Sequence, residues 1–195
     1  MKFIYCFLII SSLLFNYLIV SPSFQCSIFS EVNADKKGEN VIVSPLSIFQ
    51  VLGLTANGAV GLTRFEMVSA LEATSLENLN SINYQLMQTI RDFVSVELAN
   101  GVMSTFDTIK SFIKICDKYE APIERLISVT QVNNWCSEKT HGKITEIIDQ
   151  FDPRTVMLLL NEFISEVNGL ILLILIKFIQ ELFLLVQQVK KKKLI

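Results

Sequence analysis

The sequence predicts an α+β domain in which helices pack on a β-sheet. An apolar run at residues 41–43 leads into Ser44 and Pro45, which suit the cap and the first position of a helix. Residues 94–98 alternate as in a half-buried strand, and residues 156–160 form the continuous apolar run of a strand buried on both faces. The helix after Pro45 has apolar residues at helical spacing, namely Leu46, Phe49, Leu52 and Ala56.

Local patterns predict the other helices in chain order. A short amphipathic helix precedes residue 35 and has the apolar positions Phe24, Ile28, Phe29 and Val32. Asn57-Gly58 is expected to close the helix after Pro45, and Thr63 to Glu66 form a capping box for the next one. Within that next helix, Phe65, Val68, Ala70 and Leu71 are expected to face the core. Residues 76–93 predict a longer amphipathic helix.

The second half alternates helices with strands. Phe112 and Cys116 mark a helix that Asp107 is expected to cap, and Pro122 favours an edge position for any strand beside it. Val132, Trp135 and Cys136 share one face of a further helix, which Gly142 is expected to end. The apolar run at residues 156–160 is expected to stop at Asn161.

The sequence has no phosphate loop, metal cluster or nucleophile motif, which argues against an enzyme and a metalloprotein. The 195 residues are 51% hydrophobic and 18% charged and have a net charge of −2, which gives no electrostatic reason to bind nucleic acid. The cysteines Cys26, Cys116 and Cys136 have no metal-ligand spacing and are expected to be buried apolar residues. His141, the single histidine, is expected in a solvated loop. We therefore expect no catalytic residue, no metal and no cofactor.

The first residues have the form of a secretory signal. Lys2 precedes a long apolar stretch at residues 3–20, which ends at Ser21-Pro22-Ser23. A positive charge, an apolar stretch and small residues are typical of a signal peptide, here residues 1–23, and predict a secreted protein. The alternative is a retained membrane anchor, because the stretch is close to the minimum length that spans a bilayer.

Two stretches closely resemble the serpins, a family of large, metastable protease inhibitors. Residues 40–48 read Asn-Val-Ile-Val-Ser-Pro-Leu-Ser-Ile, and Gly-Ala-x-Gly-x-Thr and Met-x-x-Ala-Leu follow within residues 58–71. Residues 132–144 resemble the family's Asn-x-Trp-Val-x-x-x-Thr-x-Gly-Lys-Ile string, with Cys136 at the usual valine. Residues 98–103 resemble its Ala-Asn strand, although Gly101 replaces a long residue. The resemblance covers about residues 24–161.

The resemblance implies the amino-terminal portion of the serpin fold, in which helices pack on an incomplete mixed or antiparallel sheet. It also implies a role in protease inhibition. In that family a serine or cysteine protease cleaves a reactive-centre loop near the carboxy-terminus, and the loop inserts into the main sheet. Ser44, Ser47 and Asn161 match positions of the family's shutter, where the sheet opens. The reactive-centre loop is absent from the residues that resemble the family. We therefore expect this chain, as it stands, not to inhibit proteases.

The resemblance breaks after Asn161. The family continues Asn-Ala-x-Tyr-Phe-x-Gly-x-Trp, whereas this chain continues with Glu162 and Phe163. Allowed codons for residues 163–175, read in a shifted frame, can spell YFRGEWFDPFNPN, which restores the family pattern. The hypothesis is that one base is missing at codons 162–163, so that residues 162–195 are an out-of-frame tail.

Taken at face value, the tail suggests an alternative. Residues 170–189 are rich in Leu, Ile and Phe and precede four lysines, as in a transmembrane or interfacial helix. That alternative is a membrane-anchored, non-inhibitory serpin-like protein, although Lys177 within the segment would be costly in a bilayer. Without its family partners, the strand at residues 156–160 is expected to present an open apolar edge.

Overall fold

The computed structural model of the chain describes residues 20–35, 41, 43–91, 96–152, 154–167 and 170–178. The predictions for the signal sequence before Val20 and for the lysine-rich end lie outside the described residues. Among the described residues, no helix combines the length and the apolar character needed to cross a membrane.

The described part contains six helices and four strands. The helices are α1 (Pro22–Asp35), α2 (Pro45–Gly58), α3 (Gly61–Ala70), α4 (Leu76–Arg91), α5 (Lys110–Lys118) and α6 (Val129–Lys139). The strands are β1 (Val96–Ser104), β2 (Ile123–Arg125), β3 (Met157–Val167) and β4 (Leu170–Phe178). The predicted α+β class and the order of helices and strands are confirmed as far as Asn161.

The strands form one mixed sheet in the order β2-β1-β3-β4. Strand β1 is parallel to β2 and antiparallel to β3, and β3 is antiparallel to β4. The short strand β2 lies at an edge directly after Pro122, as the proline predicted.

Three predictions about the end of the sheet are wrong. Strand β3 does not stop at Asn161 but continues to Val167, because its ladder with β1 runs on to the pair Val96 and Ser165. Residues 170–178, which the membrane-anchored alternative placed in a helix, form strand β4, and residues 179–189 lie outside the described residues. From Leu159 onward the expected open edge of β3 is covered, since Leu159 pairs with Phe178 and Leu160 with Lys177.

The sheet is packed on both faces, which explains the continuous apolar run of β3. Leu158 and Leu160 contact one apolar cluster that includes Trp135 of α6. Leu159, which points the other way, packs against a second cluster that includes Leu54 of α2. A strand with helices on both faces needs apolar residues at every position, not at alternate ones.

The predicted helix start at Ser44 is correct, whereas those at Thr63 and Asp107 are wrong. Helix α3 begins at Gly61, two residues before Thr63, and has no side-chain cap. Within α3, Phe65 is 69% exposed, so its predicted core position is wrong. Asp107 does not cap α5 either, because the capping position belongs to Ile109.

Helix α2 ends at Gly58, and near this end the Asn57 side-chain amide donates to the Gly53 carbonyl oxygen (2.8 Å).

Helix α2 is the centre of the molecule. Every residue from Pro45 to Leu54 is buried, and so is Ala56. Its apolar side chains join those of α1, α3 and α4 in the largest cluster. Leu54 belongs instead to the cluster against which Leu159 packs. In the sequence, Ile48, Val51 and Thr55 widen the apolar face of this helix, a pattern typical of a deeply buried helix.

Candidate functional site

The two predicted shutter serines lie together at the start of α2. Ser44 takes the extended conformation of a cap, and its Oγ accepts the backbone N–H of Ser47 at 3.2 Å. The Ser47 hydroxyl also donates to Ser44 Oγ, at 3.0 Å. Both side chains are buried, Ser47 completely. The pair therefore fixes the first turn of the most buried helix.

The third predicted residue, Asn161, is completely buried in the middle of β3 and bonds to a residue that the sequence did not single out. Its Nδ2 donates to Asn100 Oδ1 at 2.7 Å, across the β1–β3 ladder in which these two residues are direct partners. Asn100 Nδ2 in turn donates to the backbone oxygen of Tyr119 at 3.0 Å. The Asn161 Oδ1 atom has no hydrogen-bond partner among the described residues.

The structure thus forms two polar pairs from the predicted site. Ser44 bonds to Ser47, and Asn161 bonds to Asn100. Asn100 lies in the Ala-Asn motif of residues 98–103, so the sequence did mark this position. Its role follows only from the strand register, because Asn100 and Asn161 are 61 residues apart.

A hydrogen-bonded network continues from Tyr119 into the helices. The Tyr119 hydroxyl donates to Asn80 Oδ1 of α4 at 2.8 Å. Asn80 and Asn57 of α2 bond to each other through both side-chain amides, at 2.8 and 3.0 Å. Burial raises the pKa of Tyr119 well above its usual range, so its hydroxyl keeps its proton and stays a donor. These polar side chains join three helices behind the sheet.

A third polar pair lies between β3 and α6, on the face of the sheet opposite to the Asn161 side chain. Glu162 is 1% exposed, and neither of its carboxylate oxygens has a hydrogen bond of normal geometry among the described residues. The completely buried thiol of Cys136 is a polar neighbour of this carboxylate. Burial raises the pKa of Glu162 to about 7, while the Cys136 thiol and Lys139 act in the opposite direction. Burial, followed by the Glu162 carboxylate, raises the pKa of Cys136 above its usual range.

The other residues considered as functional candidates have structural surroundings. His141 is exposed, as predicted, and its Nε2 lies 2.8 Å from Glu97 Oε2 of β1. Cys116 and Cys136 are buried as predicted, whereas Cys26 is exposed, which corrects that prediction. Burial and the neighbouring Asp117 raise the pKa of Cys116 to about 11. Within the described residues, no group of His, Cys, Asp and Glu side chains is arranged to hold a metal ion.

Comparison with known proteins agrees with this architecture. The family model Serpin, described as serine protease inhibitor, matches residues 21–165. Human (Homo sapiens) serpin B8 is 29% identical over 155 residues, which is 71% of this chain and 41% of that protein. Serpin B6 of Bos taurus is 30% identical over 142 residues, which is 63% of this chain and 38% of that protein.

Solved structures give the same result. The latent form of the thermophilic serpin tengpin is 33% identical, with a TM-score of 0.62 over 67% of this chain and 38% of that one. A loop C-sheet serpin polymer is 34% identical, with a TM-score of 0.61 over 66% of this chain and 37% of that one. The chain spans about two fifths of the length of these relatives. The matched residues include all six helices and most of the sheet, and the chain belongs to the serpin family.

Proposed function

We propose that this chain is the amino-terminal scaffold of a serpin protease inhibitor and that, as it stands, it does not inhibit proteases. Serpins are serine protease inhibitors, and the match to the family ends at residue 165. The family's reactive-centre loop lies near the carboxy-terminus, outside the matched part. This boundary supports the proposal, because the helices and strands β1–β3 lie in the matched part and the reactive-centre loop lies outside it.

The proposed partner of the complete inhibitor is a serine or cysteine protease. The inhibitor supplies the bait and the protease supplies the nucleophile, so the chain itself needs no catalytic residue. The buried pairs Ser44–Ser47 and Asn161–Asn100 would then help to position α2 and β3 where the sheet opens. No described residue suggests nucleic acid as a partner.

Incubation with a panel of serine and cysteine proteases tests the proposal. We expect the chain to be cleaved or left intact, with no covalent complex that survives SDS electrophoresis. A complete family member, treated with the same proteases, is the positive control. A band at the summed mass of this chain and a protease would contradict the proposal, because trapping an acyl-enzyme requires a reactive-centre loop.

We further propose that residues 162–195 are read out of frame after the loss of one base. Glu162 supports this, because a carboxylate with two unpartnered oxygens is buried where the family has alanine. Sequencing the gene and transcript across codons 160–175 tests it. One additional base, followed by codons for Tyr-Phe-x-Gly-x-Trp, is the expected result. An unbroken frame with the present sequence would overturn it.

Secretion is also a proposal, supported by the composition of residues 1–23. Expression of the full chain in a secreting cell, followed by amino-terminal sequencing of the product in the medium, is the test. We expect a new amino-terminus near Ser21 to Ser23. Retention of the intact chain in the membrane fraction would favour the anchor instead. No observation on the described residues favours the membrane-anchored alternative.

A further inference from the structure

A buried carboxyl group lies at the contact between α6 and the sheet. Glu162 of β3 is 1% exposed and continues the row of Leu158 and Leu160, which contact the apolar cluster beneath α6. Both of its carboxylate oxygens lack a hydrogen-bond partner among the described residues. Cys136, completely buried in α6, is its polar neighbour from the helix.

Few charged groups are placed to compensate an ionised Glu162. On α6, Lys139 attracts it, but the Lys139 ammonium lies 2.9 Å from the Glu138 carboxylate and is partly exposed. On β1 its register partner is Ala99, and the exposed Glu97 already pairs with His141.

On β4 the register partner of Glu162 is Leu175, while Lys177 lies opposite Leu160. Among the described residues, the surroundings of Glu162 are therefore mainly apolar. Lys139 on α6 is engaged with Glu138, and Lys177 is a diagonal register neighbour on β4.

Both members of this contact depart from the family pattern. The serpin string has valine where this chain has Cys136, and alanine where it has Glu162. A small apolar pair across the helix–sheet interface has been replaced by a thiol and a carboxyl group. The two departures meet in space although 26 positions separate 136 from 162 in the sequence.

We propose that the contact between α6 and β3 is proton-dependent: it is tight while Glu162 is protonated and loosens when the carboxylate ionises. Ionisation releases one proton to solvent and leaves a negative charge between apolar side chains, which is unfavourable unless water enters. Water can enter only if α6 moves away from the sheet, because Cys136 and Val132 are completely buried there.

The direction of the pH effect follows from the protonation of the folded and unfolded chains. The pKa of Glu162 is about 7 in the folded chain and near 4.5 when the chain is unfolded. Between these values the folded state holds a proton that the unfolded state has lost, so raising the pH favours unfolding. The loss begins above about pH 4.5 and is complete once the pH has passed 7.

Trp135 provides a local readout of this contact. It is the only tryptophan in the chain, it is 7% exposed, and it lies on α6 next to Cys136. We expect the Trp135 fluorescence of the full chain to shift to longer wavelength between pH 5.5 and 8.5, with a midpoint near 7. Quenching by acrylamide should increase over the same range.

Variants distinguish Glu162 from other titrating groups. Glu162→Gln and Glu162→Ala should abolish the shift, and Cys136→Val should keep it. Glu97→Gln, which removes the exposed partner of His141, is the matched control and should also keep it. A wild-type emission maximum that stays constant over this range, or a shift that persists in both Glu162 variants, would overturn the proposal.

An emission typical of fully exposed tryptophan at every pH would overturn it as well, since α6 would then not be docked. Glu162→Ala restores the residue of the family pattern, which guards against failure of Glu162→Gln to fold. The pH test is made on the polypeptide with Glu162 in place. An additional base at codons 162–163 would place the family's alanine at this position in the natural product, whereas the outcome of the protease test does not depend on Glu162.

Discussion

Ser44 contributes to stability through a hydrogen bond to a backbone N–H that the helix cannot satisfy itself. We expect Ser44→Ala to lower the free energy of unfolding by about 1–2 kcal/mol, because it removes the cap of α2 and the acceptor for the Ser47 hydroxyl. Urea unfolding followed by circular dichroism measures the change.

The matched control for Ser44 is Thr63→Ala. Thr63 begins a capping box in the sequence, but the structure places it inside α3, exposed and away from the cap. We expect its substitution to change stability by less than about 0.5 kcal/mol. Equal losses for the two variants would contradict the assigned cap positions.

Gly101 sets how closely α6 approaches the sheet. A Cβ atom at this position would lie 2.7 Å from Trp135 Cζ2 and 3.0 Å from Trp135 Cε2, both closer than a normal contact. Although a glycine inside a strand often marks a bend, β1 continues through Gly101, which pairs with Leu160. Its function here is to admit the indole ring of α6.

We expect Gly101→Ala to destabilise the chain by about 1–3 kcal/mol, because the ring and the helix must shift in a packed interface. Thermal unfolding measures the effect. In a Trp135→Leu background the same change should cost less, since the side chain that causes the clash is gone. An equal cost in both backgrounds would place the effect in the backbone of β1 and not in the contact with α6.

The helices were predictable from sequence to the extent that their signals are local. Ser44, Pro45 and the apolar spacing of α2 act within a few residues of one another, and the structure agrees with them. Thr63 failed as a cap because Gly61, with a φ of +58°, lets the chain enter the helix earlier. The sequence pattern alone does not show whether the helix begins at Gly61 or after Thr63.

The sheet was less predictable because its contacts join distant parts of the chain. The extension of β3 past Asn161 depends on its ladder with β1, and β4 depends on pairing with that extension. An apolar segment such as residues 170–178 satisfies helix and strand patterns equally, so only the partner decides. For the same reason the sequence identified Asn161 and not Asn100, its partner on the neighbouring strand.

At the scale of the whole molecule, one sheet contributes side chains to two apolar clusters, one on each of its faces. Cys116 lies in the cluster on the α5 side, and Cys136 lies in the cluster under α6. Because β1 and β3 contribute to both, the two faces should unfold together.

We expect Cys116 and Cys136 to become reactive towards N-ethylmaleimide at the same urea concentration, at pH 6.5. Cys26, which is exposed, should react without urea. Peptide mapping by mass spectrometry assigns each modified cysteine. Modification of Cys136 at clearly lower urea than Cys116 would show that α6 separates from the sheet before the remainder unfolds.

The pairing of β1 with β3 also determines when this chain can fold during synthesis. Asn100 and Asn161 meet across 61 residues, and α5, β2 and α6 all lie between them. A ladder that closes so long a loop forms slowly, because the entropy of closure must be lost before its hydrogen bonds are gained. While the ribosome is still adding those residues, the helices α1 to α4 can already collapse around α2. One edge of strand β1 then remains unpaired until β3 has been synthesised. During this interval the chain would have the greatest need of a chaperone.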